Sequence, residues 1–390
     1  MSQDASPIKE SNRLVWIDAA RGFAIFGIFM VNIGAFSAPY FLYGGDKEAW
    51  TSSLNQFTQV FIDIFFQASF YTLFSILFGF GIQMMKERII ARNSKLYPFL
   101  FRRLFILLCF GAVHAFFIWH GDILLSYGMV GIILLVFLKR KAKTKLIIGL
   151  LLLGGSVGFL SFLYYLSRDY LDYIGYAAIE QSYQNYQSGE ILAIWAQNFQ
   201  DWTYSNSIFG LFFLTLVLLP LFLFGMYLAE KRWLHEPKKY KSILVTLCII
   251  SLILFIAIKM GPYMFGNPTW FSYIQDNIGG TFSALFYITL ITLLTGTPLG
   301  MKIIKPFTYV GRMALTNYIS QSIINFILFY GFGLYGSITP FTGVIIVVLV
   351  FTFQVFFSIW WFQHFRFGPL EWVWRSLTYQ KRQPFRKQLK

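Results

Sequence analysis

Charged side chains are scarce in this 390-residue chain, making up 13% of it against about 25% in a soluble globular protein. This scarcity argues against an ordinary soluble domain. Cysteine is scarce too, and both Cys109 and Cys248 lie in apolar runs, which argues against a disulfide framework. Walker loops, dinucleotide-binding fingerprints, His-Glu-x-x-His helices and paired-cysteine motifs are missing. We therefore expect neither an ATP-driven pump nor a metal site.

Long apolar runs are what the chain has instead. Several reach about 18 to 25 residues, enough to cross a hydrocarbon core about 30 Å thick. Helices satisfy the backbone within such runs, and the short alternating segments of a membrane β-barrel are missing. The sequence therefore predicts an all-α, polytopic membrane bundle of about ten transmembrane helices. The predicted spans are 14–36, 57–85, 101–119, 122–138, 145–167, 206–229, 242–260, 279–297, 306–331 and 340–362.

Basic residues outnumber acidic ones by 32 to 17, and they collect in alternate connecting segments. The positive-inside rule therefore predicts that both termini lie in the cytoplasm. The same distribution argues against nucleic-acid binding, for which no motif is present. The polar first residues lack a small-residue cleavage site, so we expect the first helix to be retained rather than removed as a signal peptide.

The connecting segments also suggest a division of the chain. A single membrane domain is predicted over 1–390. It would contain a five-helix part at 14–167 with arginine, aspartate and histidine clusters, and an extracytoplasmic segment at 168–205. A second five-helix part at 206–390 would carry a Gly-Arg-Met-Ala-Leu-Thr-Asn-Tyr motif and a basic tail.

Two segments allow two interpretations each. Gln59, Asp63 and Gln67 share one helix face. They fit either an outer, partly polar segment leading into a spanning helix near Ser69, or one long tilted helix. The aromatic residues of 168–205 suit the membrane interface, and they could equally stack on a sugar or lipid headgroup.

Ionisable groups inside a membrane are costly, so they are the first candidates for a site. Asp18 and Arg21 are i, i+3 neighbours that can pair. Asn32 follows Arg21 by eleven residues, on the same face and about 16 Å deeper. His114 follows Arg103 by the same interval, so Asn32 and His114 are predicted at similar depth. Anchoring and helix-joining roles remain open for all of them.

The histidines and the carboxylate between the third and fourth spans suggest acid–base chemistry. His114 can act as a base or nucleophile, or it can be a hydrogen-bonded core residue. Asp122 can orient either His114 or His120, and the choice stays open because Gly121 interrupts the helix.

Polar groups near the C-terminus form two further features. Arg312, Asn317 and Gln321 lie on stripes of the ninth span that either bind a polar substrate or tie helices together. Glu371 and Arg375 are an i, i+4 pair in a segment that predicts an interfacial C-terminal helix.

The stretch from Arg13 to Asn32 resembles the start of the transmembrane acyltransferase superfamily. More closely, the chain resembles YeiB-like bacterial membrane proteins, which share a domain of unknown function. The resemblance covers nearly the whole chain. The further matching pieces are Leu77-Phe78-Gly79, His114, Gly121-Asp122-Ile123-Leu124 with Tyr127, Gly311 to Tyr318, and Arg366 to Tyr379.

The superfamily includes enzymes that pass an acyl group from cytosolic acyl-CoA to a sugar across the membrane. The resemblance therefore implies an acyltransferase-like protein of the bacterial plasma membrane, with acyl-CoA as donor and no covalently bound cofactor. Asn32 stands where the large acyltransferase branch has a histidine. The branch resembling lysosomal glucosaminide acetyltransferase also has an asparagine at this position. His114 would then substitute, with Asp122 as a possible partner, and His120 is the third candidate catalytic residue.

Under this hypothesis Arg21, Arg102 and Arg103 would hold donor phosphates, because guanidinium groups match phosphate geometry. Membrane lipids are the expected partners, and a homodimer is left open. A transporter or flippase of a small amphipathic molecule, or a non-catalytic lipid-binding protein, stays an alternative. The remaining candidate binding residues are Asp18, Asn32, Asp63, Arg312, Asn317 and Gln321.

Overall fold

The computed structural model describes residues 13–387, so the first twelve residues and the last three of the basic tail lie outside the described residues. The described chain is helical, with one isolated bridge between Phe365 and Arg386 as its only β-type pairing. The prediction of an all-α polytopic bundle is confirmed. Its main helices are α1 (Val15–Ser37), α2 (Ser53–Phe65), α3 (Ser69–Ala91), α4 (Leu96–Phe117), α5 (Leu124–Leu134), α6 (Ala142–Leu166), α7 (Tyr176–Tyr186), α8 (Ile191–Ser205), α9 (Ile208–Lys231), α10 (Lys241–Met260), α11 (Gly280–Leu294), α12 (Pro298–Arg312), α13 (Ala314–Asn325), α14 (Pro340–His364) and α15 (Pro369–Tyr379).

Eight helical stretches within residues 13–387 are long and apolar enough to cross a membrane. Two expected spans take another form. The predicted span 122–138 is the shorter apolar helix α5, which a 3₁₀ turn extends to Phe137. The predicted span 306–331 is broken at Met313, where the backbone leaves the helical region between α12 and α13, and it ends in a π-helical turn at Phe326–Gly331.

The second hydrophobic region consists of two segments, as one of the two interpretations predicted. Ala68 adopts a left-handed conformation (φ 57°) and interrupts the helix, so that α3 begins at Ser69. The polar stripe of α2 contacts neighbouring segments. Gln59 donates to Asp46 at 3.2 Å, and Asp63 accepts a hydrogen bond from Tyr263 at 2.5 Å.

Glycines allow two helix pairs to approach closely. A Cβ atom at Gly22 or Gly311 would overlap a backbone carbonyl of the facing helix in the α1–α12 pair. Gly79 and Gly225 stand in the same relation in the α3–α9 pair. Small residues of this kind let membrane helices gain van der Waals contact along their backbones.

The two ends of the bundle gather different elements. The start of α1, the end of α3, the start of α4 and helix α15 meet around one cavity. At the opposite end, Gly336 donates to the Ser37 carbonyl at 2.7 Å, and Tyr43 donates to Asp201 of α8 at 2.7 Å. Following the orientation that the loop charges predict, we refer to them as the cytoplasmic end and the outer end.

Candidate functional site

A cavity of about 150 Å³ opens at the cytoplasmic end. Its wall is rich in guanidinium groups that come from the chain before α1 and from four helices. We refer to five of them as the arginine cluster: Arg13, Arg21, Arg88, Arg103 and Arg375.

Asp18 forms an ion pair with only one of these arginines. Its carboxylate accepts from Arg13, at 3.1 Å from Nε and 3.4 Å from Nη2. The pairing that the i, i+3 spacing allows between Asp18 and Arg21 is not formed, because the extended backbone at Leu14 lets Arg13 reach Asp18. Arg21 lines the cavity and makes no hydrogen bond or ion pair to another described residue.

The guanidinium groups of Arg103 and Arg375 pack against aromatic rings and not against carboxylates. Arg103 lies 3.7 Å from the centroid of the Trp374 ring, and Arg375 lies 4.7 Å from that of Phe367. Burial lowers the pKa of Arg375 below its ordinary value, and Arg13 and Arg21 act in the same direction. The cluster therefore concentrates positive charge that an anionic ligand would neutralise.

Glu371 forms no ion pair with the described residues of the cluster. Glu371 and Arg375, the i, i+4 neighbours of α15, form no ion pair within 4 Å. Glu371 instead accepts from the Leu315 and Thr316 backbone N–H groups, at 2.7 and 3.2 Å, and from the Thr316 hydroxyl at 2.7 Å. A helix N-terminus has unpaired N–H groups, so this carboxylate caps α13. Burial raises the pKa of Glu371 above its ordinary value.

A second cavity of about 140 Å³ adjoins the first and shares Arg13, Arg21 and Arg103 with it. Tyr318 lines this second cavity, as does Arg312, whose guanidinium lies 4.1 Å from the Phe362 ring centroid. Most of its remaining wall is apolar or aromatic: Ile25, Ile28, Phe74, Phe78, Leu107, Ile123, Leu124 and Tyr127. The two cavities together offer anion-binding groups at the mouth and apolar surface further in.

Arg102 is not part of either wall. Its Nε donates to the Thr378 carbonyl at 2.6 Å, which fastens α4 to α15. Of the three arginines predicted to bind phosphate, the fold therefore brings Arg21 and Arg103 together at the cavity and directs Arg102 elsewhere.

The imidazole of His114 is fully buried and is engaged at both nitrogens. Nδ1 lies 2.7 Å from Asp122 Oδ1, and Nε2 lies 2.8 Å from Ser322 Oγ. The other Asp122 oxygen accepts from the Leu125 N–H at 2.6 Å. Asp122 thus pairs with His114, which resolves the alternative that the sequence left open.

The turn that follows the end of α4 explains this geometry. Helix α4 ends at Phe117, and the following residues return the chain so that Asp122 stands three residues before an N–H of α5. A glycine fits best at Gly121, because a Cβ atom there would overlap the Trp119 ring.

Ser322 was missed as a site residue by the sequence reasoning. The amide stripe drew attention to Asn317 and Gln321, whereas Ser322 lies on the face of Tyr318, i, i+4. The Tyr318 ring is 5.1 Å from the His114 ring, and its hydroxyl makes no hydrogen bond of good geometry within residues 13–387. The i, i+4 spacing of Tyr318, at the end of the Gly311-to-Tyr318 motif, and Ser322 is the signal that could have identified this face.

The amide stripe itself joins helices. Asn317 donates to Ser358 of α14 at 3.2 Å, and Gln321 donates to Gln354 at 2.8 Å. Gln354 in turn donates to the Asn317 carbonyl at 2.9 Å. These contacts fit the helix-joining interpretation of Asn317 and Gln321.

Two further candidates lie apart from the His114 site. Asn32 lines neither cavity and makes no side-chain hydrogen bond within the described part of the chain. Asp63 lies in a separate network with Tyr263 and Gln275, whose Nε2 is 3.4 Å from it. The predicted common depth of Asn32 and His114 did not bring their side chains together in a shared cavity.

The predicted extracytoplasmic segment forms α7 and α8, which present buried polar groups to the bundle. Asp201 accepts from Tyr43, from Tyr186 at 2.8 Å and from Gln197 at 2.7 Å. His120 Nδ1 is 3.7 Å from Asp201, and burial lowers the pKa of His120 below its ordinary value.

Several buried polar atoms toward this end have no hydrogen-bond partner within residues 13–387. Buried polar groups are normally paired, so each of them is open to a ligand or water. They are Trp119 Nε1, His120 Nδ1, Asn325 Oδ1 and the Tyr330 hydroxyl.

The fold and these buried polar clusters define a polytopic helical membrane protein. The family described as "protein of unknown function (DUF418)" matches residues 228–381. A Bacillus subtilis (strain 168) protein described as uncharacterized protein YxaH is 36% identical over 98% of both chains. Uncharacterized protein YeiB of Escherichia coli (strain K12) is 29% identical over 94% of this chain and 96% of its own. The chain belongs to the YeiB-like family.

Proposed function

We propose that the protein is an acyltransferase of the bacterial cell membrane that uses a cytosolic, phosphate-bearing acyl thioester of the acyl-CoA type. The observation that carries this proposal is the arginine cluster, which adjoins a largely apolar cavity lined by Tyr318, whose ring lies 5.1 Å from that of His114. The bacterial relatives support the choice of membrane. Apolar side chains exposed on α6 and α10 support membrane lipids as partners.

The donor would bind in two parts. Its phosphates would contact Arg21 and Arg103, whose charges have no carboxylate partner within 4 Å in the described chain. Its acyl arm would extend along the apolar wall toward His114, about 16 Å deeper than Arg103 along α4. The acyl carbonyl would thereby reach the only histidine whose two nitrogens are both hydrogen-bonded in the described chain.

His114 would act as the general base. Asp122 fixes the proton on Nδ1, so Nε2 can take the proton of an attacking hydroxyl. The acceptor oxygen forms a bond to the acyl carbon, the carbon–sulfur bond breaks, and the thiolate leaves with the proton from Nε2. Acyl thioester and alcohol thus become ester and thiol.

The acceptor would enter from the outer end. The polar atoms of Trp119, His120, Asn325 and Tyr330, which lack partners among residues 13–387, offer hydrogen bonds to a molecule rich in hydroxyl groups.

The test is transfer from radiolabelled acetyl-CoA by the protein purified in lipid nanodiscs. We expect the unmodified protein to release free thiol, and we expect His114→Gln to lose this activity. Arg103→Gln should raise the donor KM, whereas Arg102→Gln is the matched control because Arg102 faces α15. If proteoliposomes instead accumulate an amphipathic molecule unchanged and no thiol is released, the protein is a transporter and the proposal is wrong.

A further inference from the structure

We infer that Ser322 is a nucleophile that carries the acyl group between donor and acceptor, activated by His114 and Asp122. The inference rests on the proposed function, and it replaces the direct attack of the acceptor on the thioester with two steps through a covalent intermediate. It starts from a hydrogen-bonded series of three side chains from three parts of the fold: α13, α4 and the turn before α5.

The hydrogen-bond directions follow once Asp122 is assigned as a carboxylate and His114 as a neutral imidazole. An ionised Asp122 can only accept, so Nδ1 of His114 donates to it. In the neutral imidazole Nε2 then accepts, and the hydroxyl at 2.8 Å is that of Ser322, which donates. A serine hydroxyl whose proton points at a histidine that a carboxylate orients is the arrangement that activates serine nucleophiles on unrelated folds.

Burial and distance distinguish the Ser322–His114 contact from an ordinary contact that joins two helices. Ser322 is 1% exposed and His114 is fully buried, so water does not compete for either group. A serine inside a membrane helix can satisfy itself on its own backbone, and Ser322 has such an acceptor in the Tyr318 carbonyl at 3.5 Å. The much shorter contact is the one with His114.

Tyr318 connects Ser322 with the cavity and offers a hydrogen-bond donor for the oxyanion. Tyr318 lines the apolar cavity one helical turn before Ser322, whereas Ser322 and His114 line neither cavity. A donor in this cavity would therefore reach Ser322 only if the Tyr318 side chain moved. The Tyr318 hydroxyl, which has no hydrogen-bond partner of good geometry in the described chain, is a donor for the oxyanion that forms on the acyl carbonyl. Tyr318 and Ser322 share a helix face, so one substrate can contact both.

The chemistry balances in two steps. Ser322 Oγ attacks the thioester carbon, its proton moves to His114 Nε2, and the carbon–sulfur bond breaks as the thiolate takes that proton. The acceptor hydroxyl then attacks the serine ester and gives its proton to Nε2. The ester bond to Oγ breaks, and the proton returns to Ser322.

The test uses an alkyl fluorophosphonate, which serine nucleophiles attack at phosphorus with loss of fluoride. The full-length protein in nanodiscs is incubated with the probe, and its peptides are analysed by mass spectrometry. We expect modification of Ser322, its loss in Ser322→Ala, and at least a ten-fold slower rate in His114→Gln. Ser283→Ala is the matched control, since Ser283 is a buried serine bonded to Ser69 rather than to a histidine.

Asp122 is a positioning residue, and its test has a separate readout. Asp122→Asn should shift the pH profile of probe labelling, whereas a merely structural role would change yield without moving that profile. Size-exclusion profiles identify the variants that retain the fold.

The outcomes separate the inference from the proposed function. Acetyl transfer by a protein whose Ser322 stays unmodified, with Ser322→Ala fully active, overturns the nucleophile and leaves the acyltransferase standing. A modified Ser322 in a protein that transfers nothing from acetyl-CoA supports the nucleophile and refutes the proposed donor.

Discussion

At the residue scale, the buried imidazole of His114 depends on both of its partners. Asp122 and Ser322 satisfy its two nitrogens, and the second Asp122 oxygen accepts from Leu125. A buried polar group left without a partner costs about 1–3 kcal/mol, so the site is part of the fold's stability as well as its proposed chemistry.

Asp122→Asn should lower both the stability of the fold and the proposed transfer activity. The amide cannot accept at both former oxygens, and it removes the charge that stabilises a protonated imidazole. We expect transfer activity to fall by about 10²–10⁴-fold and stability to fall by about 1–3 kcal/mol. Activity assays and thermal unfolding measure the two effects. The control is Asp172→Asn, whose exposed carboxylate accepts from Thr269, and equal behaviour of the two variants would contradict the assigned role.

Arg21 and Arg13 should respond in opposite directions. Arg21→Gln removes a largely buried charge that has no ion pair in the described chain, so the ligand-free protein should become more stable while its affinity for CoA falls by about ten-fold or more. Arg13→Gln breaks the ion pair with Asp18 and should lower stability. Thermal unfolding with and without CoA measures both. A destabilised Arg21→Gln that keeps the full stabilisation by CoA would argue against the anion site.

Spacing along the sequence could place residues of one helix on one face, which is why Arg21, Arg103 and His114 were selected as candidates. It could not predict which distant group a side chain meets. Asp18 pairs with Arg13 and not with Arg21. Glu371 caps α13 and does not pair with Arg375. Ser322 is the hydrogen-bond partner of His114 Nε2. All but the first of these contacts join separate elements, and their geometry depends on how those elements pack.

At the element scale, backbone approach governs the packing of α3 against α9. Gly79 faces the Phe222 carbonyl so closely that any Cβ atom would overlap it. Membrane helices gain stability chiefly from such close contact, since lipid tails are as apolar as the side chains themselves.

Gly79→Val should therefore force the two helices apart and reduce folded yield and unfolding temperature. Gly154→Val is the matched control, because a Cβ atom at Gly154 of α6 would meet no atom of the described chain within 4 Å. Fluorescence-detected size exclusion after heating measures both variants. Equal profiles would show that α3 and α9 tolerate a wider separation.

Some helix boundaries were predictable only as one of two alternatives. One interpretation of the polar stripe from Gln59 to Gln67 placed the start of α3 near Ser69, and Ala68 breaks the helix there. The break at Met313 was not predicted, because the surrounding sequence is continuously compatible with a helix. It depends on Glu371 of α15 capping the new N-terminus.

At the scale of the whole molecule, the two ends carry different chemistry. One end holds the arginine cluster, and the other holds α7 and α8 with their aromatic and carboxylate contacts. Hydropathy was sufficient to predict a helical membrane bundle, because bilayer thickness constrains the length of every span. Which end faces the cytoplasm stays a prediction of the positive-inside rule.

The orientation is testable with single cysteines in a Cys109→Ser, Cys248→Ser background. A membrane-impermeant maleimide added to intact cells should label Ser188→Cys, between α7 and α8, and spare Glu236→Cys, in the loop after α9. Permeabilised cells should label both positions, which controls for reactivity. The reverse pattern in intact cells would place the arginine cluster outside and exclude a cytosolic donor.

The most direct measurement is a cryo-electron microscopy structure with a non-transferable thioether analogue of acetyl-CoA. We expect the diphosphate among Arg21, Arg103 and Arg375, the arm along the apolar cavity, and the acyl end against Tyr318 beside His114 and Ser322. A ligand bound elsewhere, or an arginine cluster that stays free of the analogue at saturating concentration, would contradict the proposed donor site.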